Sequence, residues 1–382
     1  MTRTLRELRP VWMVGVGLHP YQKASETPYT ALGVHAVRAA LADAGLGWKQ
    51  IESAYTGTAT TAMGMSRLMY RHLGATGIPM AQVENASASG STAFRQACID
   101  VAAGLADVAI AVGVDKPLRF GMPQGPAGVR DLAGGRVLPF THFALLANRY
   151  IHDHGATPEQ LALVAVKNSR NGALNPNAQR RRARTLDEVL APPQISGPLT
   201  RLQCCPVGEG AAAAIVAADD AIRRLRLDTS RAVRVLSSAS RSETVYRGEN
   251  FDAALTRETA KIALDDAGLK PADLDVVELH DAFTIEELLY IEAMGLAPVG
   301  HAAAALAEGQ FDIGGRVAVS ASGGLLSMGH PIGPTGVGQI CEIASQLRGE
   351  AGPRQHAGAR TGLAHMVGVG AVCVVHVLQK AG

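Results

Sequence analysis

The sequence is poor in aromatic side chains, which make up 4% of its 382 residues, and its formal net charge is only +2. The first leaves no platform for stacking bases and the second no field for a phosphate backbone, so nucleic acid is excluded as a partner. Five cysteines, Cys98, Cys204, Cys205, Cys341 and Cys373, are too few for a disulfide scaffold and form no C-x-x-C pair, which fits a reducing cytoplasm. No apolar run reaches the roughly 20 residues of a membrane helix, and the stretch 10–18 is too short for a secretion core. Metal-ligand spacing and a Gly-rich phosphate loop are also missing, so no metal site is expected.

What is present is a core. Hydrophobic residues make up 47% of the chain and no low-complexity tract interrupts them, which predicts a globular enzyme of two to three average domains in length. The 42 glycines point to closely approaching backbones and to turns that need positive φ.

A duplication organises the chain. Ala40-Leu41-Ala42-Asp43-Ala44-Gly45-Leu46 recurs as Ala263-Leu264-Asp265-Asp266-Ala267-Gly268-Leu269, an offset of 223 residues, each closing a helical pattern with glycine. A short apolar strand follows both copies, at 51–55 and at 274–279. Further on, Glu84-Asn85-Ala86-Ser87-Ala88-Ser89-Gly90 and Val319-Ser320-Ala321-Ser322-Gly323-Gly324 each join a strand to a small-residue turn that opens a helix. The strands at 108–112 and 372–375 are β-branched and read as buried on both faces. The pattern predicts two α/β halves, 1–230 and 231–382, packed together. Residues of about 117–205, richer in Pro, Gly, Arg and His, read as an insertion in the first half that lies over a cleft.

Three loops put polar residues at the ends of buried strands, where α/β folds place their sites. Ser87 stands at the apex of a strand-to-helix turn, where it is either a nucleophile favoured by the helix dipole or an N-cap. His280 follows the second apolar strand and can donate a hydrogen bond to a developing oxyanion, with Asp281 to orient it. The rigid loop Ser327-Met328-Gly329-His330-Pro331-Ile332-Gly333-Pro334-Thr335-Gly336 presents His330. A basic run, Arg180, Arg181, Arg182 and Arg184, suits phosphate or is a solvated charged loop.

Taken in order, these loops resemble the thiolase superfamily along nearly the whole chain. Within it they are most similar to the thiolase part of sterol carrier protein x and its bacterial relatives, through Leu202-Gln203-Cys204-Cys205-Pro206, Gly210-Ala211-Ala212-Ala213-Ala214-Ile215, His280-Asp281 followed by Phe283, and Gly323-Gly324-Leu325 leading to Gly329-His330-Pro331. The resemblance implies the thiolase fold, a five-layered αβαβα sandwich of duplicated halves with a loop-domain insertion. It implies an acyl-CoA substrate, coenzyme A entering as part of the substrate and no covalently bound cofactor. It also implies a homodimer, a small partner subunit with a zinc ribbon and an OB-fold, and no membrane association. Since the chain ends at Gly382 soon after its last strand, an appended lipid-carrier domain is not expected.

The resemblance fails at the sulfur. The position of the acyl-accepting cysteine is Ser87, and the two places where relatives carry a second reactive cysteine are Met366 and Ala282. A hydroxyl has a far higher pKa than a thiol and needs a strong neighbouring base to attack. Cys373, inside an apolar strand, reads as core. By resemblance His280 and His330 remain to bind a thioester oxygen when an enolate forms, with Ser322 and Gly368 beside the substrate and Arg181 and Arg182 on the phosphorylated end of CoA. Loss of acyl transfer with enolate stabilisation retained predicts carbon–carbon cleavage of the retro-aldol type, as in bacterial thiolase-like proteins of steroid side-chain breakdown. Tyr246 is the first candidate for the base, or else a packed tyrosine, with His365 and Ser87 behind it. Two readings stand beside this one: a thiolase (3-ketoacyl-CoA acyltransferase) with Ser87 in place of cysteine, and a non-catalytic acyl-CoA-binding subunit.

Overall fold

A computed structural model describes residues 4–117, 139–246, 251–368 and 372–381. Part of the expected insertion, 118–138, lies outside the described residues, as do residues 369–371 beyond Gly368. The strands are β1 Val11–Gln22, β2 Ser53–Gly57, β3 Met80–Val83, β4 Val108–Asp115, β5 Gln194–Ser196, β6 Leu199–Thr200, β7 Glu209–Ala218, β8 Val233–Ser242, β9 Val276–Glu278, β10 Ala318–Val319, β11 Thr361–Gly368 and β12 Val372–Lys380. Helices of ten residues or more are α1 Tyr29–Ala44, α2 Ser89–Ala103, α3 Pro139–His154, α4 Pro158–Ala173, α5 Phe251–Ala267, α6 Thr284–Ala293 and α7 Ile332–Arg348.

The duplication is visible in the order of the strands. The first half runs β3-β2-β4-β7-β1 and the second β10-β9-β11-β12-β8, the same order once each half is counted from its own first strand. The pairing types repeat as well: β2 is parallel to β3 and β4 while β7 is antiparallel to β4 and β1, and β9 is parallel to β10 and β11 while β12 is antiparallel to β11 and β8. A short ladder, Val11 with Val235, Trp12 with Arg234 and Met13 with Val233, joins the two sheets edge to edge. Gly45 and Gly268, the glycines of the repeated heptad, end α1 and α5 at φ 68° and 69°, where a Cβ would be strained.

Layering follows from what each strand buries. Every residue of β4 and of β7 is buried, because helices cover both faces of the sheet. Leaving Val108, Ile110 or Val112 in water would forgo about 1.5–3 kcal/mol each. α1 packs on β1 and β7, α5 packs on β8 and β12, and α2 and α7 lie together between the sheets, α2 against β2 and β4 and α7 against β4, β7 and β11. That is the five-layered thiolase sandwich. The described part of the insertion leaves the first half but packs its α3 and α4 on the second, sharing a core with Leu279, Ile285 and Leu288. No described helix is long and apolar enough to cross a membrane.

Candidate active site

Ser87 owes its position to a strained turn and a close helix contact. Ala86 adopts a left-handed φ of 47°, held because its N–H donates to Glu84 Oε1 at 2.6 Å and its carbonyl accepts from Ser89 Oγ at 2.6 Å. The next residue, Ser87, lies just ahead of Ala88, the N-cap of α2. A Cβ on Gly90 would stand 2.3 Å from the carbonyl oxygen of Gly333, so only glycine lets the first turns of α2 and α7 meet there. With those helix ends in contact, Ser87 Oγ lies 3.1 Å from His330 Nε2. Gly368, at the end of β11, is pressed on the same turn, since a Cβ there would come within 2.1 Å of the Asn85 carbonyl oxygen. Met366 is fully buried with Ala88 and Val374.

The hydrogen bonds fix which nitrogen of His330 carries the proton. Thr335 Oγ1 is 2.6 Å from the Pro331 carbonyl oxygen and 2.9 Å from His330 Nδ1. A carbonyl cannot donate, so the single threonine hydrogen goes to Pro331 and Oγ1 accepts from Nδ1–H. His330 Nε2 is then a lone pair, and it accepts the hydroxyl of Ser87. Burial pushes the pKa of His330 well below the usual imidazole range, and the neighbouring His280 adds to the shift.

His280 is oriented differently. Its Nδ1 lies 3.0 Å from Glu286 Oε1, so the expected partner Asp281 is replaced by a residue six positions on. Asp281 instead accepts from Asn168 Nδ2 at 2.7 Å and from the Leu325 N–H at 2.6 Å, and burial raises its pKa well above the carboxylate range. Glu286 also accepts from Tyr290 Oη at 3.1 Å and, through Oε2, from the Phe283 N–H at 2.9 Å, which caps α6. With the carboxylate taking the Nδ1 hydrogen, the lone pair of neutral His280 is on Nε2. That atom is buried and has no hydrogen-bond partner among the described residues. The His280 and His330 rings stand edge to face with centroids 5.4 Å apart.

A single segment stitches the two histidine loops together. Cys204 bridges to Phe283, the Cys205 N–H donates to the Ala282 carbonyl at 2.8 Å, and Val207 bridges to His330. Arg180 holds this segment from behind, donating to the carbonyls of Cys204 and Leu326 at 3.0 Å each. From Pro206 and Val207 a cavity of about 580 Å³ opens outward, and its wall carries Lys23, Arg180, Arg181, Arg182, Arg184 and Arg201. Arg182 and Arg184 pair with Glu188, and among the described residues Arg181 reaches only the Pro176 carbonyl, at 3.5 Å. Six cations with one paired carboxylate make this wall attractive to a polyphosphate.

Of the residues expected at the site, Ser87, His280, His330 and Gly368 are brought together, and Arg181 and Arg182 line the adjoining cavity. Tyr246 turns its hydroxyl to Glu258 Oε2 at 3.3 Å. Ser322 is buried and donates to Glu278 Oε2 at 2.6 Å. His365 lies fully buried behind His280, its Nδ1 3.4 Å from the His280 N–H and its Nε2 2.9 Å from Thr256 Oγ1, so both of its nitrogens are engaged. Cys373 is fully buried in the second core. Sequence reasoning missed Glu286 and Thr335. Glu286 has one signal, its place three residues after Phe283 where a capping glutamate reaches back; Thr335 has none beyond lying in the rigid loop.

Comparison with known proteins agrees along the whole chain. The thiolase N-terminal domain matches residues 14–220 and the thiolase C-terminal domain-like family matches 237–380. Sterol carrier protein 2 of Gallus gallus is 36% identical over 393 residues, covering 96% of this chain and 71% of that protein. The benzoylsuccinyl-CoA thiolase subunit BbsB of Thauera aromatica is 35% identical, covering 95% of each. Among solved structures, the Ltp2-ChsH2(DUF35) aldolase superposes with a TM-score of 0.86 at 26% identity, covering 97% of this chain and 98% of that one.

Proposed function

The chain belongs to the thiolase family and is an acyl-CoA enzyme of it, and from that premise we propose that it breaks a carbon–carbon bond of a β-hydroxyacyl-CoA by retro-aldol chemistry, through the enolate of the thioester. The observation that carries this reading is the pair of imidazoles 5.4 Å apart in a site whose three family cysteine positions are Ser87, Ala282 and Met366. An enolate beside this pair is stabilised where its charge develops by the N-terminus of α2 and by an imidazole that carries a proton on the nitrogen facing it, which is what cleavage needs and acyl transfer alone does not. Likeness to a structure described as an aldolase supports it.

In this reading the acyl chain lies beside Ser87 and Gly368, and the phosphates of coenzyme A lie on Arg181, Arg182 and their neighbours. The domains are 1–230 and 231–382. The protein works as a homodimer, for which β3 offers an edge: among the described strands it pairs with β2 alone, and Met80 and Gln82 are exposed along it. A small zinc-ribbon and OB-fold subunit accompanies it, as the paired naming of the aldolase complex suggests.

One observation favours a second reading. The hydroxyl of Ser87 already donates to His330 Nε2 at 3.1 Å, the contact an acyl-accepting serine would use. Product analysis separates the two. Incubation with a β-hydroxyacyl-CoA is expected to release a shorter acyl-CoA and a ketone or aldehyde. If the protein instead cleaves a β-ketoacyl-CoA in the presence of CoA, and its mass rises by an acyl group on Ser87, the second reading replaces the first.

A further inference from the structure

We infer that His280, oriented by Glu286, is the proton acceptor of the cleavage reaction, and that the same nitrogen returns the proton to the α-carbon. The inference rests on the retro-aldol reading and deepens it by naming the base. Three features of the geometry carry it. Glu286 accepts from His280 Nδ1 at 3.0 Å, which leaves Nε2 as the basic atom. That Nε2 is buried without a hydrogen-bond partner among the described residues, whereas His330 Nε2 is occupied by Ser87. Of the two rings, among the described residues only His280 has a carboxylate behind it, whereas His330 has Thr335, so it is at His280 that a positive imidazolium is compensated. The direction of the His330 pKa, pushed well below the usual range by burial and then by His280, agrees that His330 stays neutral.

The electron and proton accounts close without a further reactant. His280 Nε2 takes the β-hydroxyl proton, the C–O bond gains double-bond character, and the Cα–Cβ bond breaks with its electron pair moving into the enolate. The carbonyl product leaves. Nε2–H of the new imidazolium faces the enolate, so the donor that stabilises the anion appears as the anion forms. The imidazolium then protonates Cα, giving the shorter acyl-CoA and restoring neutral His280. Tyr246 is not required, its hydroxyl being committed to Glu258. Glu286 is a positioning residue: it fixes the tautomer and touches no reacting atom.

The test uses the intact protein with three readouts. The first is cleavage of a β-hydroxyacyl-CoA. The second is exchange of the α-protons of a saturated acyl-CoA in D2O, which needs only the last step run backwards. The third is the tautomer of His280 by nitrogen NMR of histidine-labelled protein, assigned by the signal missing from His280→Gln. Glu286→Gln is expected to lower kcat by roughly 10²-fold with KM little changed, to slow exchange in parallel, and to be partly rescued in Glu286→Asp. The wild-type spectrum is expected to show His280 protonated on Nδ1. Wild-type kcat in Glu286→Gln, or an Nε2-protonated His280 in the wild type, overturns the inference; should Glu286→Gln not fold, the wild-type tautomer decides. Exchange without cleavage, lost in Glu286→Gln, keeps the His280–Glu286 pair and defeats the retro-aldol reading. Neither cleavage nor exchange in the wild type defeats both.

Discussion

The turn after β3 and the turn after β10 are copies of one another, yet one meets the His330 loop and the other a buried carboxyl, Glu278. Each holds a non-glycine residue in the left-handed region, Ala86 at φ 47° and Ser320 at φ 55°, and each opens a helix. In the first copy the following residue is Ser87, whose hydroxyl meets His330. In the second it is Ala321, fully buried, and the next hydroxyl, Ser322, is spent on Glu278, with the Ser322 N–H donating to the same carboxylate at 2.9 Å. A strained elbow is thus a device of the fold, and the two copies differ in what the residue after it meets. The comparison predicts a double dissociation: changes at the first turn alter turnover, changes at the second alter stability.

The largest expected effect is at the partner of the first turn. His330→Ala removes the imidazole that packs edge to face on His280 and should lower kcat/KM for the β-hydroxyacyl-CoA by about 10²-fold through misplacement of that base, with the melting temperature nearly unchanged. Full activity in this variant would mean that the contact between Ser87 and His330 is structural after all. Next is Ser322→Ala, which leaves buried oxygens of Glu278 without a hydroxyl donor and should cost about 1–3 kcal/mol in denaturant unfolding, while turnover per folded molecule at low temperature stays at the wild-type value. A loss of turnover larger than the loss of folded protein would put Ser322 beside the substrate.

Glu278, the carboxyl under the second turn, gives the comparison a pH dependence. Burial, and next the nearby Glu342, push its pKa up from 4.5 to about 8, against the donors of Ser322 and the charge of Lys167. Between those two values the native state binds a proton that the unfolded chain does not, so stability falls as pH rises through that window, at up to about 1.4 kcal/mol per unit. Glu278→Gln, which cannot ionise, should lose this component and gain on the wild type between pH 6 and pH 8. Parallel melting curves across that range would show that Glu278 is ionised in the native state. Asp281 is raised in the same direction, in part by the charge of Glu278 itself, so the difference between the two proteins reports Glu278 together with its effect on Asp281.

Much of the fold was legible because the duplication repeats backbone requirements as well as letters. The glycines of the repeated heptads, Gly45 and Gly268, mark equivalent helix ends, and everything between them and the next strand keeps register. Ser87 and His330 were legible for a similar reason, since turns of small residues and prolines leave few polar atoms to choose from. Asp281 was assigned to His280 because it is adjacent in sequence. Successive residues at a strand end point to opposite sides, and the carboxylate went to Asn168 and Leu325 while the imidazole went to the cleft. Glu286 could be found only by knowing that α6 begins at Thr284, which aims its third residue back at the loop. Where Tyr246 turns its hydroxyl is something no spacing reveals: it donates to Glu258, on α5.

The smallest effect decides most. In the retro-aldol reading Ser87 contributes one hydrogen bond to a neutral imidazole, and losing such a bond is worth about 0.5–1.5 kcal/mol. Ser87→Ala should therefore reduce cleavage by roughly 10-fold or less and leave stability within about 0.5 kcal/mol of the wild type, because the elbow is held by Glu84 and Ser89 and not by the Ser87 side chain. A nucleophilic serine predicts something else, since no acyl-enzyme can form without the hydroxyl and turnover would vanish. Steady-state rates of Ser87→Ala on whichever of the two substrates, β-hydroxyacyl-CoA or β-ketoacyl-CoA with CoA, the wild type cleaves thus separate a hydroxyl that tunes His330 from one that attacks, with the turn after β10 as the internal control for an elbow whose next residue carries no hydroxyl.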